Sequence, residues 1–264
     1  MSRLAVRRLT KRFATPQGPL PALDEVSLAV EEGEFLSIIG PSGCGKSTLF
    51  NIVGGLIEAD AGEVLVDGAR ADRGHRDIGM VFQEESTFPW LTCIENVAFP
   101  LEVAGVPRRE RLQRAADLLH LVGLDGFAER FPAELSGGMR QRTAIARTLA
   151  SRPKILLMDE PFASLDEQTR MLLGDKILQI CRTLNQTTLL ITHNITEAVQ
   201  LSDRVAVMSF RPGRIKRTVA IDLPRPRDSD IVSTDRFGRL VGEIWNELRG
   251  EALRGMSESE SVPA

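Results

Sequence analysis

The residues best suited to chemistry form a glycine-rich run that ends in a lysine and two hydroxyl side chains, Gly40-Pro41-Ser42-Gly43-Cys44-Gly45-Lys46-Ser47-Thr48. Its spacing is G-x-x-x-x-G-K-[ST], in which the glycines let successive backbone N–H groups point at phosphate oxygens. The ammonium of Lys46 can pair with the β- and γ-phosphates, and the hydroxyl of Ser47 can bind Mg²⁺. The thiol of Cys44 is incidental to binding by backbone groups. The run therefore predicts a nucleotide site, although not yet a particular reaction.

An acidic pair, Asp159-Glu160, ends the apolar run 155–158. Such a run is typical of a buried strand, which would carry Asp159 to the carboxyl end of a sheet, where open α/β sheets bind ligands. There Asp159 can hold Mg²⁺ through its water shell, and Glu160 can accept a proton from an attacking water as general base. Surface strands often end in acidic residues, so the pair gains its meaning from the phosphate loop upstream.

Strand-like and helix-like segments alternate along the chain. Apolar or alternating segments predict strands at residues 26–30, 35–39, 63–66, 78–82, 155–158, 188–191 and 205–208. Helical spacing predicts helices at residues 47–53, 112–122 and 135–149, and an amphipathic C-terminal helix around 237–248. The alternation indicates an α/β fold with a mainly parallel sheet covered by helices on both faces. The helical block at about 90–150 has the character of an insertion into one core.

Composition excludes several classes of function. Lys and Arg total 33 against 36 Asp and Glu, and this net charge of -3 gives no electrostatic footprint for nucleic acid. No apolar run approaches the roughly 20 residues of a membrane helix, and the basic start lacks the apolar stretch of a secretory signal. The three cysteines match neither a zinc site nor a disulfide framework. These features predict a reduced cytoplasmic protein.

The stretch Leu135-Ser136-Gly137-Gly138-Met139-Arg140-Gln141-Arg142 opens a predicted helix with a hydroxyl and free N–H groups that can receive an anion. As a bare pattern, Ser-Gly-Gly would be an ordinary N-terminal cap. Together with the phosphate loop and the acidic strand, the stretch resembles the signature sequence of ABC ATPases. The resemblance covers roughly residues 3–225. In that family Ser136, Gly137 and Gly138 serve the ATP of a partner subunit.

The resemblance carries over to four further positions. Gln83 matches the glutamine that reaches Mg²⁺ and the attacking water, and His193 matches the switch histidine that contacts the γ-phosphate. Ser164-Leu165-Asp166 matches the D-loop along the dimer seam. Phe13 falls where most members have a tyrosine that stacks on adenine; this chain contains no tyrosine, and a core position for Phe13 is the alternative.

These matches imply a complete catalytic set. Glu160, His193 and Gln83 would be catalytic, ATP would lie on residues 40–48 and Phe13, and Mg²⁺ would be held by Ser47, Gln83 and Asp159. The implied fold is a P-loop NTPase cassette with a RecA-like, mainly parallel core, an N-terminal antiparallel β part and an inserted α-helical subdomain. The ATPase domain would span residues 1–227. Residues 228–264 would form a tail with the amphipathic helix docked on the chain's own surface and a disordered end from residue 257.

The family also implies an assembly. Two cassettes, with a homodimer expected, pair head to tail around two ATP molecules and drive separate transmembrane permease subunits, with a substrate-binding protein as an indirect partner. The apolar stretch Phe88-Pro89-Trp90 lies where members receive a short helix of the permease, and burial of Trp90 within the cassette is the alternative reading. The expected location is the cytoplasmic face of the inner membrane, as a peripheral subunit.

Three further stretches of the chain resemble one branch of the family. Phe88-Pro89-Trp90, Met208-Ser-Phe-Arg-Pro-Gly-Arg214 and Asp222-Leu-Pro-Arg-Pro-Arg227 are similar to the importer ATPases for nitrate, sulfonates, taurine and bicarbonate. The cargo itself is not encoded here, since the cassette never touches it. Two alternatives stay open: the motor of an export or lipoprotein-release complex, and a soluble ABC ATPase acting on ribosomes, DNA or iron–sulfur assembly.

Overall fold

The computed structural model describes residues 2–16, 18–71, 74–83, 86–163 and 165–260, leaving aside the side chains of 256–260. The strands, in chain order, are β1 (Ser2–Thr15), β2 (Gly18–Glu31), β3 (Phe35–Ile39), β4 (Ala61–Val66), β5 (Ala69–Arg70), β6 (Ile78–Val81), β7 (Ile155–Asp159), β8 (Thr187–Thr192), β9 (Arg204–Met208) and β10 (Ile215–Ala220). The α-helices are α1 (Lys46–Val53), α2 (Cys93–Val103), α3 (Arg108–Leu121), α4 (Gly137–Ala150), α5 (Glu167–Thr183), α6 (Ile195–Leu201) and α7 (Asp235–Glu260).

The strands form two sheets, which confirms the predicted fold class. The larger sheet has the order β10-β9-β3-β8-β7-β6, with β9, β3, β8, β7 and β6 parallel and β10 antiparallel at one edge. The smaller sheet is antiparallel, in the order β2-β1-β4-β5. Strands β3 and β8 are buried along their whole length because both faces of the parallel sheet are covered.

Strand β7 shows how the core is divided. Its Leu156 and Met158 point into a cluster beneath α2, α3, α4 and α5, whereas Ile155 and Leu157 point into a cluster that joins α1 to the antiparallel sheet. This alternation is the period-2 geometry of a strand buried on both faces. Helix α1, which carries Lys46 at its first position, is thereby held between the two sheets.

The helices between residues 90 and 150 are α2, α3 and α4, and they pack on one another. Helix α2 begins with a capping box in which the Thr92 hydroxyl accepts from the Glu95 N–H and the Glu95 carboxylate accepts from the Thr92 N–H. In the described part of the chain, no helix is long and apolar enough to cross a membrane.

Helix α7 is longer than the sequence predicts. Phe237, Leu240 and Ile244 are buried against β9, β10 and α6, as the amphipathic pattern requires. Trp245, next to Ile244 in the same helix, is 53% exposed. The helix continues to Glu260. The predicted disorder of residues 257–264 falls partly outside the described residues and stays a prediction.

Candidate functional site

The segments singled out by the sequence leave the parallel sheet at one edge. The glycine-rich loop follows β3, Asp159 ends β7, His193 follows β8, and Gln83 follows β6. Because these strands run parallel, their carboxyl ends meet at the same edge. The order β3-β8-β7-β6 sets neighbouring strands about 5 Å apart, so the four segments converge.

The glycine-rich loop, residues 40–48, needs glycine for its backbone shape. Gly43 and Gly45 have φ of 75° and 98°, values that residues with a side chain adopt at a cost. At Gly45 a Cβ atom would also stand 2.7 Å from the carbonyl oxygen of Ala22. The loop therefore depends on glycine for its tight path, a backbone shape in which successive N–H groups can point at an anion.

Lys46 and Cys44 take different directions from this loop. The ammonium of Lys46 reaches back to the carbonyl oxygens of Gly40 and Pro41, at 2.8 and 3.0 Å, and the residue is only 8% exposed. The thiol of Cys44 belongs to the core cluster beneath the loop, and burial raises its pKa. The loop thus offers backbone donors and one ammonium, while the thiol faces away from a ligand.

Asp159 lies beside the loop. The Ser47 hydroxyl and the Lys46 ammonium are close enough to favour the charged carboxylate. Burial and the neighbouring charge of Glu160 outweigh both effects and raise the pKa of Asp159 to about 6. Adjacent carboxylates that are partly removed from water, beside a hydroxyl, form an oxygen donor set suited to Mg²⁺.

Glu160 and His193 form a pair. The Nδ1 atom of His193 lies 3.0 Å from Oε2 of Glu160, and the ring is exposed whereas the carboxylate is largely covered. The Glu160 backbone has a φ of 43° and donates its N–H to the Ile191 carbonyl at 2.8 Å. A left-handed conformation at a residue other than glycine costs about 1–2 kcal/mol, and such strain is concentrated at functional sites. The strained turn delivers the carboxylate to the histidine.

A cleft of about 390 Å³ runs along the loop. It is lined by Phe13, Leu20, Ala22, Ser42, Gly43, Gly45, Lys46, Ser47, Thr48, Glu160 and Arg211. Phe13 is 39% exposed near the end of β1, so its ring is a wall of the cleft and not a core residue. Gln83 is exposed two residues beyond β6, the neighbour of β7.

The signature residues lie elsewhere on the chain. Ser136 caps α4, and its hydroxyl accepts a hydrogen bond from the Met139 N–H at 3.4 Å. Ser136 and Gly138 line a groove together with Thr169 and Lys176 of α5, separate from the cleft along the phosphate loop. Of the D-loop match, Asp166 caps α5, while Ser164 lies outside the described residues. The signature residues and the phosphate loop therefore lie at two separate concave surfaces of the chain.

The Phe88-Pro89-Trp90 stretch is an exposed aromatic knob on a fixed base. The buried amide of Asn96 accepts from the Phe88 N–H at 2.7 Å and donates to the Phe88 carbonyl at 3.1 Å. The Phe88 ring packs on Phe99 and Trp90, with centroids 4.8 and 5.5 Å apart, and the Arg147 guanidinium lies 4.8 Å from its centre. Trp90 is 71% exposed, which removes the reading of Trp90 as a core residue.

Sequence reasoning missed one residue of the cleft, Arg211, and one buried carboxylate, Glu197, that lies close enough to Glu160 for their charges to interact. Arg211 reaches the cleft from the turn between β9 and β10, and the only signal was its place in the Met208–Arg214 stretch, noted as a family likeness. Glu197 is buried on α6 and has a pKa raised to about 8 by desolvation, although Arg170 and a hydrogen bond with Thr192 oppose the shift. Its position four residues after His193 carries no recognisable pattern.

Comparison with known proteins agrees with this geometry. The model of the ABC transporter family matches residues 23–163. An uncharacterised ABC transporter ATP-binding protein of Methanocaldococcus jannaschii is 47% identical over 96% of this chain and 94% of its own length. The nitrate import ATP-binding protein NrtD of Synechocystis sp. is 42% identical over 98% of both chains. The aliphatic sulfonates import ATP-binding protein SsuB of Bacillus cereus is 39% identical over 90% of this chain and 94% of its own length.

A solved structure shares the fold. The dimeric post-hydrolysis state of the ATP-binding cassette MJ0796, bound to ADP and Pi, superposes with a TM-score of 0.73. It is 35% identical in sequence, and the match covers 84% of this chain and 100% of that one.

Proposed function

The chain belongs to the ABC transporter family and is an ATP-binding, ATP-hydrolysing subunit, and from this premise we propose that it powers uptake of a small anion such as nitrate, a sulfonate, taurine or bicarbonate. The observation that carries the proposal is the nitrate import subunit NrtD, which aligns over 98% of both chains. The sulfonate import subunit SsuB and a bicarbonate transport protein, CmpC of Synechococcus elongatus, support the same class at 39% and 43% identity.

The roles of the residues follow from their positions. The N–H groups of residues 40–48 and the Lys46 ammonium hold the phosphates, and Phe13 supplies an aromatic wall for the base. Ser47, Asp159 and Gln83 would hold Mg²⁺, which would shield phosphate charge when bound. A cation there would also favour the ionised form of Asp159, whose pKa burial raises.

Glu160 acts as the general base and His193 positions it. A carboxylate held at 3.0 Å from Nδ1 of His193 has a fixed direction, and its remaining lone pairs can accept a proton from water. Because the His193 ring is exposed, its other nitrogen is free to meet the γ-phosphate. The pair thus couples the position of the base to the presence of the terminal phosphate.

The separation of signature and cleft supports a head-to-tail dimer. Ser136 and Gly138 line a groove separate from the cleft along the chain's own phosphate loop, so the signature residues 136–138 serve the ATP of a second cassette. The superposable neighbour is itself dimeric. In this arrangement ATP is held between two subunits, and hydrolysis releases them, which moves attached permease subunits.

The exposed knob Phe88-Pro89-Trp90 provides the docking point for a permease helix. Its base is fixed by Asn96 and Arg147, so a force applied at Trp90 reaches α2 and α4. The chain would then work as a peripheral subunit on the cytoplasmic face of the plasma membrane, with a substrate-binding protein as an indirect partner.

Glu160→Gln tests the chemical part. The amide keeps the shape and a hydrogen-bonding oxygen for His193 but cannot accept the proton, so ATPase activity falls about 10²–10⁴-fold. Size exclusion with ATP should show that the variant dimerises. Glu129→Gln, a change of an exposed carboxylate in the helical block, is the matched control and keeps parental activity. Hydrolysis by Glu160→Gln at the parental rate would show that the base lies elsewhere.

The cargo is tested in cells that lack the chain. Uptake of labelled nitrate, taurine, alkyl sulfonate and bicarbonate is measured with no chain, with the parent and with Lys46→Ala. Loss of uptake of one anion, restored by the parent and not by Lys46→Ala, is the expected result. Normal uptake of all four anions would contradict the importer proposal and favour an export or soluble role.

A further inference from the structure

The turn between β9 and β10, residues 209–214, is built against the phosphate loop. The Gly213 N–H donates to the Ala22 carbonyl at 2.9 Å, and the Gly213 carbonyl accepts from the Asp24 N–H at 3.0 Å. A Cβ atom on Gly213 would stand 2.2 Å from the carbonyl oxygen of Cys44. The backbone of the turn therefore touches the backbone of the loop, which permits glycine alone at that point.

The same turn is anchored on its other side. The Phe210 N–H donates to the Glu251 carboxylate at 3.0 Å. The Phe210 ring also packs closely on α7, since a Cβ atom added to Gly255 would stand only 2.9 Å from it. Arg214 bonds Asp24 through its Nε atom at 2.9 Å. With contacts to β2, to the loop and to α7, the turn has little freedom to move, and Arg211 projects from it.

Arg211 lines the same cleft as the phosphate loop and Phe13. One guanidinium nitrogen lies 3.5 Å from the Gly43 carbonyl, a long hydrogen bond that uses one of the five N–H donors of the side chain. The neighbouring Arg214 and Arg217 are neutralised by Asp24 and by Glu243 and Glu247. Within the described residues, no carboxylate forms an ion pair with Arg211, so its charge is available to an anion.

The cleft needs such a charge. Its other walls carry one ammonium, that of Lys46, and one carboxylate, that of Glu160, whereas a bound nucleotide brings several negative charges. A guanidinium presents five donors in a planar fork that matches phosphate oxygens. We propose that Arg211 is a nucleotide-binding residue that pairs with the phosphates where they pass Gly43. The inference rests on the proposed role of residues 40–48 as the phosphate site.

Calorimetric titration with Mg–ADP tests the assignment without turnover. Arg211→Gln should weaken binding about tenfold, which is about 1.4 kcal/mol, whereas Arg211→Lys keeps affinity within about threefold of the parent. Arg217→Gln, which removes a positive charge from the same hairpin but is paired with α7, is the matched control and binds like the parent. Because Arg211 is exposed, its replacement should leave the unfolding temperature unchanged.

Mg–GDP distinguishes phosphate from base recognition. A phosphate contact requires that Arg211→Gln weaken Mg–GDP and Mg–ADP by the same factor. Parental affinity of Arg211→Gln for Mg–ADP would overturn the inference, and so would a loss confined to the adenine nucleotide, since the side chain would then stack on the base. Failure of the parent to bind Mg–ADP would overturn the phosphate site itself and this inference with it.

Discussion

Replacing Gly45 by alanine measures how strictly the structure dictates the phosphate loop. Gly45 has φ 98° and ψ 12°, a conformation that costs a residue with a Cβ atom about 1–2 kcal/mol. The added methyl would stand 2.7 Å from the Ala22 carbonyl oxygen and 2.8 Å from a Leu23 methyl. The carbonyl cannot retreat freely because it accepts the Gly213 N–H at 2.9 Å, so the overlap adds about 1–3 kcal/mol. The expected loss of unfolding free energy is about 2–5 kcal/mol.

Two other glycines separate the cost of the left-handed conformation from the cost of the steric overlap. Gly68 has a positive φ of 79° with open space where its Cβ atom would lie, so Gly68→Ala shows the conformational cost alone, about 1–2 kcal/mol. Gly126 also has open space, and its φ is not positive, so Gly126→Ala should be close to neutral. Urea unfolding at equal protein concentration gives the three free energies, and calorimetry with Mg–ADP reports the loop directly.

Two different results for Gly45→Ala would agree with the predicted overlap. Either the variant loses more stability than Gly68→Ala, or the loop shifts to relieve the overlap and Mg–ADP affinity falls at least tenfold. If Gly45→Ala matches Gly68→Ala in stability and the parent in affinity, then the contact between the loop and Ala22 does not restrict the backbone, and this account of the motif is refuted.

Two further predictions concern Glu197 and Trp90. Folding raises the pKa of Glu197 from 4.5 to about 8, so the folded protein keeps a proton that the unfolded chain releases, and stability falls as pH rises through that window. Urea unfolding of Glu197→Gln should show a decrease in the free energy of unfolding between pH 4.5 and 8 that is about 2–4 kcal/mol smaller than in the parent. Parallel plots of unfolding free energy against pH for the two proteins would contradict this prediction. Trp90→Ala should weaken co-purification with the permease about tenfold and leave the ATPase of the isolated chain unchanged, with the exposed Phe127→Ala as control. Equal recovery of the complex would remove Trp90 from the docking surface.

The parts of the site that the sequence predicts are those that depend on short-range patterns. The phosphate loop is contiguous in sequence, and its glycines mark the positions at which the backbone can adopt a left-handed conformation. Asp159 and Glu160 follow an apolar run whose length and composition mark a buried strand. Placing both at one edge needs only the rule that ligands gather at the carboxyl ends of parallel strands, and the order of β3, β8 and β7 agrees with it.

The parts that the sequence does not predict depend on contacts between distant segments. Arg211 reaches the cleft because Gly213 fits against the Cys44 carbonyl, a meeting of segments about 170 residues apart. The pairing of Glu160 with His193 needs the neighbouring strands β7 and β8, which no periodicity specifies. The burial of Glu197 is invisible for the same reason, since a glutamate on a short helix usually faces water.

Three features that lower stability lie together at the edge of the sheet that carries the site. Glu160 adopts a left-handed backbone, Asp159 is a carboxylate partly removed from water, and Gly45 gives up the stiffness that a side chain would provide. Each departure has a chemical reason at the same place: a base aimed at histidine, a donor for a cation, and N–H groups aimed at phosphate. Local rules of folding are expected to fail where function opposes them. At this edge of the sheet the three departures therefore coincide with the residues that the motifs predict to be functional.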